Sequence, residues 1–206
     1  LGVRSLRFVD VLVLDEEYLA TLPAPCVAFV LLYPTSHAAQ AHFDAKAAAT
    51  ARALAESAAD EASSAARRAV ACSAVCFLRQ RRGGTCGTIA ALHALVNGAK
   101  ALPRDRESVL GPSLCAELLL HEHDKDADDD AMEEQASRDL CELRSQRLLA
   151  SSTIRAAHNR CAVATSAAAG RAGVRQGRHF VAFVRAFDRL VLCDGRREAP
   201  VDCGPT

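Results

Sequence analysis

Residues 80–98 read QRRGGTCGTIAALHALVNG and predict a turn followed by a helix that begins at Cys86. The glycines before Cys86 favour the turn. Apolar side chains then recur with the spacing of one buried helical face, at Ile89, Leu92 and Val96. Asn97 and Gly98 predict the end of the helix. Because the free N–H groups at a helix start favour thiolate over thiol, this position would activate Cys86 as a nucleophile.

A lone cysteine is more often a buried, unreactive residue, so a thiol site needs a base and a group that orients it. His179 and Asp194 lie at the outer ends of two apolar runs that predict a β-hairpin. Pairing Val184 with Arg189 would leave a four-residue loop and set His179 opposite Asp194. Opposed residues have Cβ atoms about 5 Å apart, so this register predicts a hydrogen bond between imidazole and carboxylate.

The other histidines have different interpretations. His93 shares a helical face with Cys86, but two turns of helix separate them by about 10 Å, too far for proton transfer. We interpret His93 as a core residue. The rest lie in acidic or alanine-rich stretches and are predicted to be solvated: His37, His42, His121, His123 and His158.

The remaining chain predicts strands on both sides of a helical middle. Apolar runs typical of buried strands lie at residues 7–14, 26–33, 179–184 and 190–193. Helical patterns lie at residues 108–120 and 131–169, with an acidic connection at 121–130. Strands that flank helices in this order indicate an α+β fold with one sheet.

Alanine dominates the chain between the first strands and the thiol segment. Residues 37–74 favour a helix without a bulky apolar stripe, and predict an exposed helix or a flexible insertion. Alanine supplies 42 of the 206 residues. Because a buried methyl group removes little surface from water, the core must come from a few denser segments.

The charge balance disfavours partners that are held by a long-range field. The chain has 25 Lys and Arg against 25 Asp and Glu, so binding of nucleic acid or a membrane surface lacks its usual electrostatic support. No apolar run approaches the roughly 20 residues of a membrane span. The nine cysteines form no C-x-x-C pair and follow no secretory signal, which favours reduced thiols in a cytosolic protein. A start without Met predicts a fragment or a processed chain.

Several other patterns do not complete a functional site. The acidic run at Asp124 has Asp129 where a calcium loop needs glycine. His121 and His123 lack the further ligands of a tetrahedral metal site. Leu92 stands where a cysteine phosphatase needs an arginine, and no glycine-rich phosphate loop is present. The sequence therefore predicts no metal and no cofactor.

Together these elements resemble the ubiquitin C-terminal hydrolases, thiol peptidases of the papain-like group (peptidase family C12), and above all their short single-domain members. The resemblance starts from the segment around Cys86. It continues in the same order along the chain in RFVDV (7–11), LPAPCVA (22–28), LLYP (31–34), SVL (108–110), IRAAH (154–158) and DGR (194–196). It implies a papain-like α+β fold with a central, mostly antiparallel sheet flanked by helices, as one catalytic domain over residues 1–206.

The resemblance also implies roles for single residues. Cys86 would be the nucleophile, His179 the general base and proton donor, and Asp194 the residue that orients the imidazole. Gln80 would stabilise the oxyanion, and the backbone N–H of Cys86 at the helix start could add a second donor. Asp10 matches an acidic position that contacts the basic tail of ubiquitin. The alternative is that Asp10 is only a polar residue that alternates with apolar residues in a strand.

Other features of the family map onto longer segments. Residues 167–178 correspond to the crossover loop that the family drapes over its active site, and their three glycines fit a mobile segment. Gly84 stands where relatives carry Asn, and Arg81 and Arg82 replace less charged residues. Residues 37–74 are an expansion, and the last strand and helix of the family would be missing, so a truncated domain of marginal stability is expected.

The sequence thus predicts a ubiquitinyl hydrolase 1, a thiol-dependent enzyme of ubiquitin-dependent protein catabolism. It would cleave bonds at the C-terminal glycine of ubiquitin in small or unfolded adducts and in ubiquitin precursors. Ubiquitin and its adducts are the expected partners, without nucleic acid or membrane. We expect a monomer in the cytoplasm, with the nucleus left open as a second location. The alternatives are an inactive ubiquitin-binding pseudoenzyme, a fragment that does not fold, and an unrelated α+β thiol protein.

Overall fold

The structure, a computed structural model, describes residues 6–56, 74–100, 130–168 and 177–206. These residues form helices and one sheet, which confirms the α+β class. The helices are α1 (Glu16–Ala20), α2 (His37–Glu56), α3 (Cys86–Lys100), α4 (Asp130–Ala150) and α5 (Ser152–Ala168). The strands are β1 (Ala28–Pro34), β2 (Arg178–Ala186), β3 (Arg189–Cys193) and β4 (Val201–Pro205).

The sheet is antiparallel throughout, in the order β1-β2-β3-β4. Its inner strand β2 pairs with β1, where Tyr33 lies opposite His179, and with β3, where Ala182 lies opposite Cys193. Helix α3 packs on this sheet against β2 and β1. As predicted, Leu92 and Val96 are among the residues that α3 buries.

The β2–β3 hairpin has a different register from the one that the sequence predicted. Two residues, not four, form the loop, and Val184 lies opposite Val191 instead of Arg189. The shift sets two fully buried valines against each other. It also frees Arg189 to bind both carboxylate oxygens of Asp202 on β4, at 2.6–3.0 Å. Strand β4 was not predicted.

The strand predicted at residues 7–14 is wrong. This stretch has no regular secondary structure, and Phe8, Leu12 and Leu14 are 62%, 79% and 81% exposed. An apolar stretch becomes a strand only where another strand can satisfy its backbone groups, and no strand of the described residues pairs with it. The second predicted strand, 26–33, is confirmed as β1, shifted by one or two residues.

Two helix boundaries also differ from the prediction. Helix α3 continues through Asn97 and Gly98 to Lys100, because both residues serve packing instead of a cap. A Cβ atom on Gly98 would lie 2.8 Å from Val27 Cγ2. The helix predicted at residues 131–169 is interrupted at Ser151, whose hydroxyl accepts a hydrogen bond from Ile154 N–H at 3.2 Å and so caps the start of α5.

Some predictions fall outside the described residues: the helix at 108–120, the acidic connection at 121–129, and most of the crossover loop at 167–178. Of the expansion at 37–74, residues 37–56 form the predicted helix. Among the described residues, no helix is both long and apolar enough to cross a membrane.

Candidate active site

Cys86 is the first residue of α3, as predicted. The amide of Ile89 donates the first helical hydrogen bond, to Thr85 O at 2.9 Å, so the backbone N–H of Cys86 has no carbonyl partner within the helix. Gly87 lets this first turn approach β2, since a Cβ atom there would lie 3.3 Å from the ring of Phe180. Phe180 is the neighbour of His179, so the close approach brings the thiol towards the imidazole.

His179 and Asp194 form the predicted buried pair. The imidazole Nε2 donates to Asp194 Oδ1 at 2.6 Å, and the two residues are 0% and 3% exposed. This bond fixes which ring nitrogen can act on the thiol. Nδ1 has no fully formed hydrogen bond with any described residue, so it is the nitrogen left for Cys86 and the substrate.

Asp194 is held as a carboxylate. Besides His179, its Oδ1 accepts a hydrogen bond from Arg196 N–H at 3.0 Å, and the Arg197 guanidinium lies 3.8 Å from Oδ2. Burial acts to raise the pKa of Asp194, but the bonds from His179 and Arg196 outweigh it, so the pKa lies below its ordinary value. Asp194 therefore remains negative and can stabilise an imidazolium.

The pKa values of Cys86 and His179 shift in opposite directions. The imidazole is the main cause of a lowered pKa of the Cys86 thiol, against the effect of burial. Burial also acts to lower the pKa of His179, but the hydrogen bond to Asp194 and the interaction with the nearby Cys86 thiol outweigh it and the pKa is raised. Both shifts favour proton transfer from thiol to imidazole, which yields a thiolate and an imidazolium.

Tyr33 is a site residue that sequence reasoning missed. It lies opposite His179 in the β1–β2 register, with ring centroids 5.7 Å apart and planes at 83°. The Tyr33 ring also stacks on Phe43 of α2, with ring centroids 5.0 Å apart. This edge contact shields the imidazole from water and fixes its plane. Only the pairing register could have revealed it.

Gln80 lies at the end of a segment, residues 75–80, that belongs to no strand and is buried from residue 75 to residue 78. Side chains of α3 and α4 hold it, because Leu78 N–H donates to His93 Nε2 at 2.9 Å and Arg79 N–H to Ser145 Oγ at 2.8 Å. Asn97 adds two bonds, accepting from Cys76 N–H at 2.7 Å and donating to Cys76 O at 3.0 Å. These contacts fix the backbone that leads to Gln80.

The backbone of Gln80 is tied directly to the residue after Asp194. Gln80 N–H donates to Gly195 O at 2.7 Å. A Cβ atom on Gly195 would lie 3.2 Å from Gln80 Cβ and 2.8 Å from Ile89 Cγ2, so only glycine allows the approach. The side-chain amide of Gln80 donates one hydrogen to Arg82 O at 3.1 Å. Its second amide hydrogen is the candidate oxyanion donor.

The remaining histidines are partly as predicted. His93 is fully buried, and burial lowers its pKa to about 4, so it is a neutral core residue. His37 and His42 are exposed. The prediction of a solvated His158 is wrong, since its Nδ1 lies 2.8 Å from the hydroxyl of Thr88, in the first turn of α3. His121 and His123 lie outside the described residues.

Asp10 stands apart from this cluster of bonded residues. It is exposed, and its backbone carbonyl accepts a hydrogen bond from the Tyr18 hydroxyl at 3.2 Å. Its carboxylate has no hydrogen bond or ion pair with the described residues and is open to a partner.

Neither a metal cluster nor a disulfide is found in the part of the chain that the structure describes. No group of three or more His, Cys, Asp or Glu side chains converges there. No disulfide joins any of the seven cysteines that the structure describes, which are Cys26, Cys76, Cys86, Cys141, Cys161, Cys193 and Cys203.

The chain is similar to known proteins over nearly its whole length. Residues 1–206 match the family described as ubiquitin carboxyl-terminal hydrolase, family 1. The ubiquitin carboxyl-terminal hydrolase of Aplysia californica is 30% identical over 200 residues, which are 97% of this chain and 75% of that protein. Isozyme L1 of Homo sapiens is 31% identical over 198 residues, 96% of this chain and 72% of that one.

A solved structure shares the fold. It is the catalytic domain of Trichinella spiralis UCH37 bound to ubiquitin vinyl methyl ester, with a TM-score of 0.52 and 21% identity. The match covers 89% of this chain and 62% of that chain, so this chain spans less than two thirds of its length.

A papain-like fold that sets a cysteine beside a His–Asp pair is the arrangement of a thiol hydrolase. The chain belongs to the ubiquitin carboxyl-terminal hydrolase family. The predicted function, thiol-dependent hydrolysis at the C-terminus of ubiquitin, is the function of that family, whose members are deubiquitinating thiol proteases.

Proposed function

We propose that Cys86, His179, Asp194 and Gln80 are the catalytic residues with which this chain hydrolyses bonds at the C-terminal glycine of ubiquitin. The observation that carries the proposal is the 2.6 Å bond from His179 Nε2 to Asp194, which leaves Nδ1 for Cys86. The lowered pKa of the thiol and the raised pKa of the imidazole support the same assignment.

The reaction follows from these positions. The Cys86 thiolate attacks the carbonyl carbon of the glycine, and the C–O π electrons move to oxygen. Gln80 and the backbone N–H of Cys86 stabilise that oxyanion. The His179 imidazolium gives its Nδ1 proton to the leaving amine as the C–N bond breaks. A water molecule, deprotonated by His179, then hydrolyses the thioester and restores the thiol.

The finer assignments are part of the proposal. The enzyme is a ubiquitinyl hydrolase 1 with omega-peptidase-like activity, acting on small or unfolded adducts and on ubiquitin precursors. We assign residues 1–206 to one catalytic domain, with an insertion at 37–74 and a crossover loop at 167–178. Asp10 contacts the ubiquitin tail. The protein acts as a monomer in the cytoplasm, with the nucleus as a second location, and binds neither nucleic acid nor membrane.

The test is release of aminomethylcoumarin from its ubiquitin C-terminal amide. The purified chain should release the fluorophore, and Cys86→Ala should abolish release. Cys26→Ala changes an exposed cysteine and serves as the matched control. Release by Cys86→Ala at the rate of the unaltered protein would contradict the proposal.

One observation favours a second candidate, a ubiquitin-binding protein without activity. The Gln80 amide is engaged with the Arg82 carbonyl, which would leave the oxyanion poorly stabilised if the bond persisted on substrate binding. The two candidates differ towards a ubiquitin C-terminal amide. An active enzyme releases aminomethylcoumarin from it, whereas the inactive binder associates with the ubiquitin derivative without cleaving it.

A further inference from the structure

A basic cavity lies beside the nucleophile helix. It has a volume of about 230 Å³ and is bounded by the loop before Cys86, the first turn of α3, and helices α4 and α5. Four arginines contribute to its lining, Arg79, Arg81, Arg82 and Arg155, and its lining includes no carboxylate. Apolar side chains, among them Ile89, Leu148 and Ile154, make up part of the remaining wall.

Two of the four cations are already neutralised and two are not. Arg79 pairs with Glu198 at 2.9 Å, and Arg81 pairs with Glu142. Arg82 and Arg155 have no ion pair with any described residue. The cavity therefore presents two uncompensated guanidinium groups, which suit a carboxylate through paired N–H donors.

The position of the cavity ties it to the reaction. Thr85, the residue before Cys86, is part of the wall. Thr88 lies one turn further on and is joined to His158 of α5 at 2.8 Å, so a fixed contact closes the wall between the two helices. An extended chain covers about 3.5 Å per residue. Because Thr85 adjoins Cys86, the proposal requires only that the first few residues of a peptide attached at the scissile bond extend past Cys86 to this wall.

We propose that this cavity binds an acidic side chain of the leaving group, so that the enzyme prefers conjugates with Asp or Glu close to the bond that it cleaves. The inference rests on the proposed function. The ubiquitin side of the bond is the same in every substrate, so a pocket beside the nucleophile can discriminate among conjugates only through the leaving group.

The experiment compares ubiquitin fused at its C-terminus to an acidic peptide and to the matched amide peptide, with Asp and Glu replaced by Asn and Gln. The unaltered protein should cleave the acidic fusion with about tenfold higher kcat/KM at low salt, and the ratio should fall as ionic strength rises. The double variant Arg82→Gln, Arg155→Gln should bring the ratio to about one. Arg160→Gln removes an exposed arginine of α5 outside the cavity and should keep the tenfold ratio.

Equal cleavage of both fusions by the unaltered protein, with aminomethylcoumarin release intact, would overturn the cavity proposal and leave the proposed function standing. Failure to cleave any ubiquitin derivative would overturn the proposed function. The cavity is tested separately by fluorescence anisotropy of the labelled acidic peptide alone. It should bind the unaltered protein and Arg160→Gln more tightly than the double variant, and equal binding to all three would overturn the proposal.

Discussion

His179 forms a hydrogen bond with Asp194, which lies two residues before the position directly opposite His179. The β2–β3 register would set residue 196 opposite His179, yet the Nε2 to Oδ1 distance to Asp194 is 2.6 Å. The bond is thus diagonal across the strands, at the margin of the sheet where β3 has ended. Diagonal neighbours are within reach of long side chains, so the pair forms although the predicted register was wrong.

Loss of this bond should impair proton transfer more than binding. We expect Asp194→Asn to lower kcat about 100-fold or more and to change KM little, because His179 would lose its orienting partner and the charge that stabilises the imidazolium. Steady-state kinetics with the ubiquitin aminomethylcoumarin substrate provide the measurement. Asp188→Asn alters an exposed aspartate of the hairpin loop and should have little effect. Equal kcat in both variants would exclude Asp194 from catalysis.

Alkylation of Cys86 should report the coupling between thiol and imidazole. Since His179 lowers the pKa of the thiol, the rate of reaction with iodoacetamide should reach half its maximum below the ordinary thiol pKa. His179→Ala removes this stabilisation and should move the midpoint upward. Mass spectrometry of the peptide containing Cys86 separates its reaction from that of other cysteines. An unchanged midpoint would show that the two groups do not interact.

Gln80 should act on the transition state and not on the thiol. Removal of one oxyanion donor lowers kcat by about 100-fold or more, so Gln80→Ala should lower kcat by that factor. The KM and the rate of Cys86 alkylation should hardly change. Gln40→Ala, at a side chain on α2, is the control. If Gln80→Ala kept full kcat, the engaged amide would have no part in the reaction.

His93 should make the fold sensitive to acid. Its pKa is about 4 in the folded protein and about 6.5 when unfolded. Between these values the unfolded chain binds the extra proton, so the free energy of unfolding should fall as the pH falls from 6.5 to 4, by up to about 3 kcal/mol. Urea unfolding at several pH values measures this. His93→Gln keeps an acceptor for Leu78 N–H and should flatten the dependence, and an equally steep dependence in this variant would assign the acid sensitivity to other groups.

Gly195 should tolerate no side chain. A Cβ atom would lie 2.8 Å from Ile89 Cγ2, so Gly195→Ala should destabilise the protein by about 1–3 kcal/mol and displace the segment that carries Asp194. Gly83→Ala is the matched control, since a Cβ atom there meets nothing within 4 Å. The melting temperature and kcat should both fall in Gly195→Ala and stay unchanged in Gly83→Ala. Equal melting temperatures of the two variants would contradict the packing at Gly195.

Local features were well predicted where one segment carries its own signal. The start of α3 at Cys86 follows from a glycine turn and a helical apolar pattern, and both are properties of neighbouring residues. Its end was missed because Asn97 and Gly98 are used in contacts with residues far away in sequence, at Cys76 and Val27. Capping residues lose their usual meaning when packing offers them distant partners.

The sequence by itself determined the α+β class, the helix that begins at Cys86, and the four residues Gln80, Cys86, His179 and Asp194 as candidates. Helical and strand periodicity, like the resemblance to a family, depends only on the order of residues along the chain. Tertiary structure alone decided the hairpin register, the contact of Tyr33 with His179, the bond between Thr88 and His158, and the basic cavity beside α3. Each of these depends on which distant segments share buried space, because burial and pairing free energies are set by the partner and not by the segment.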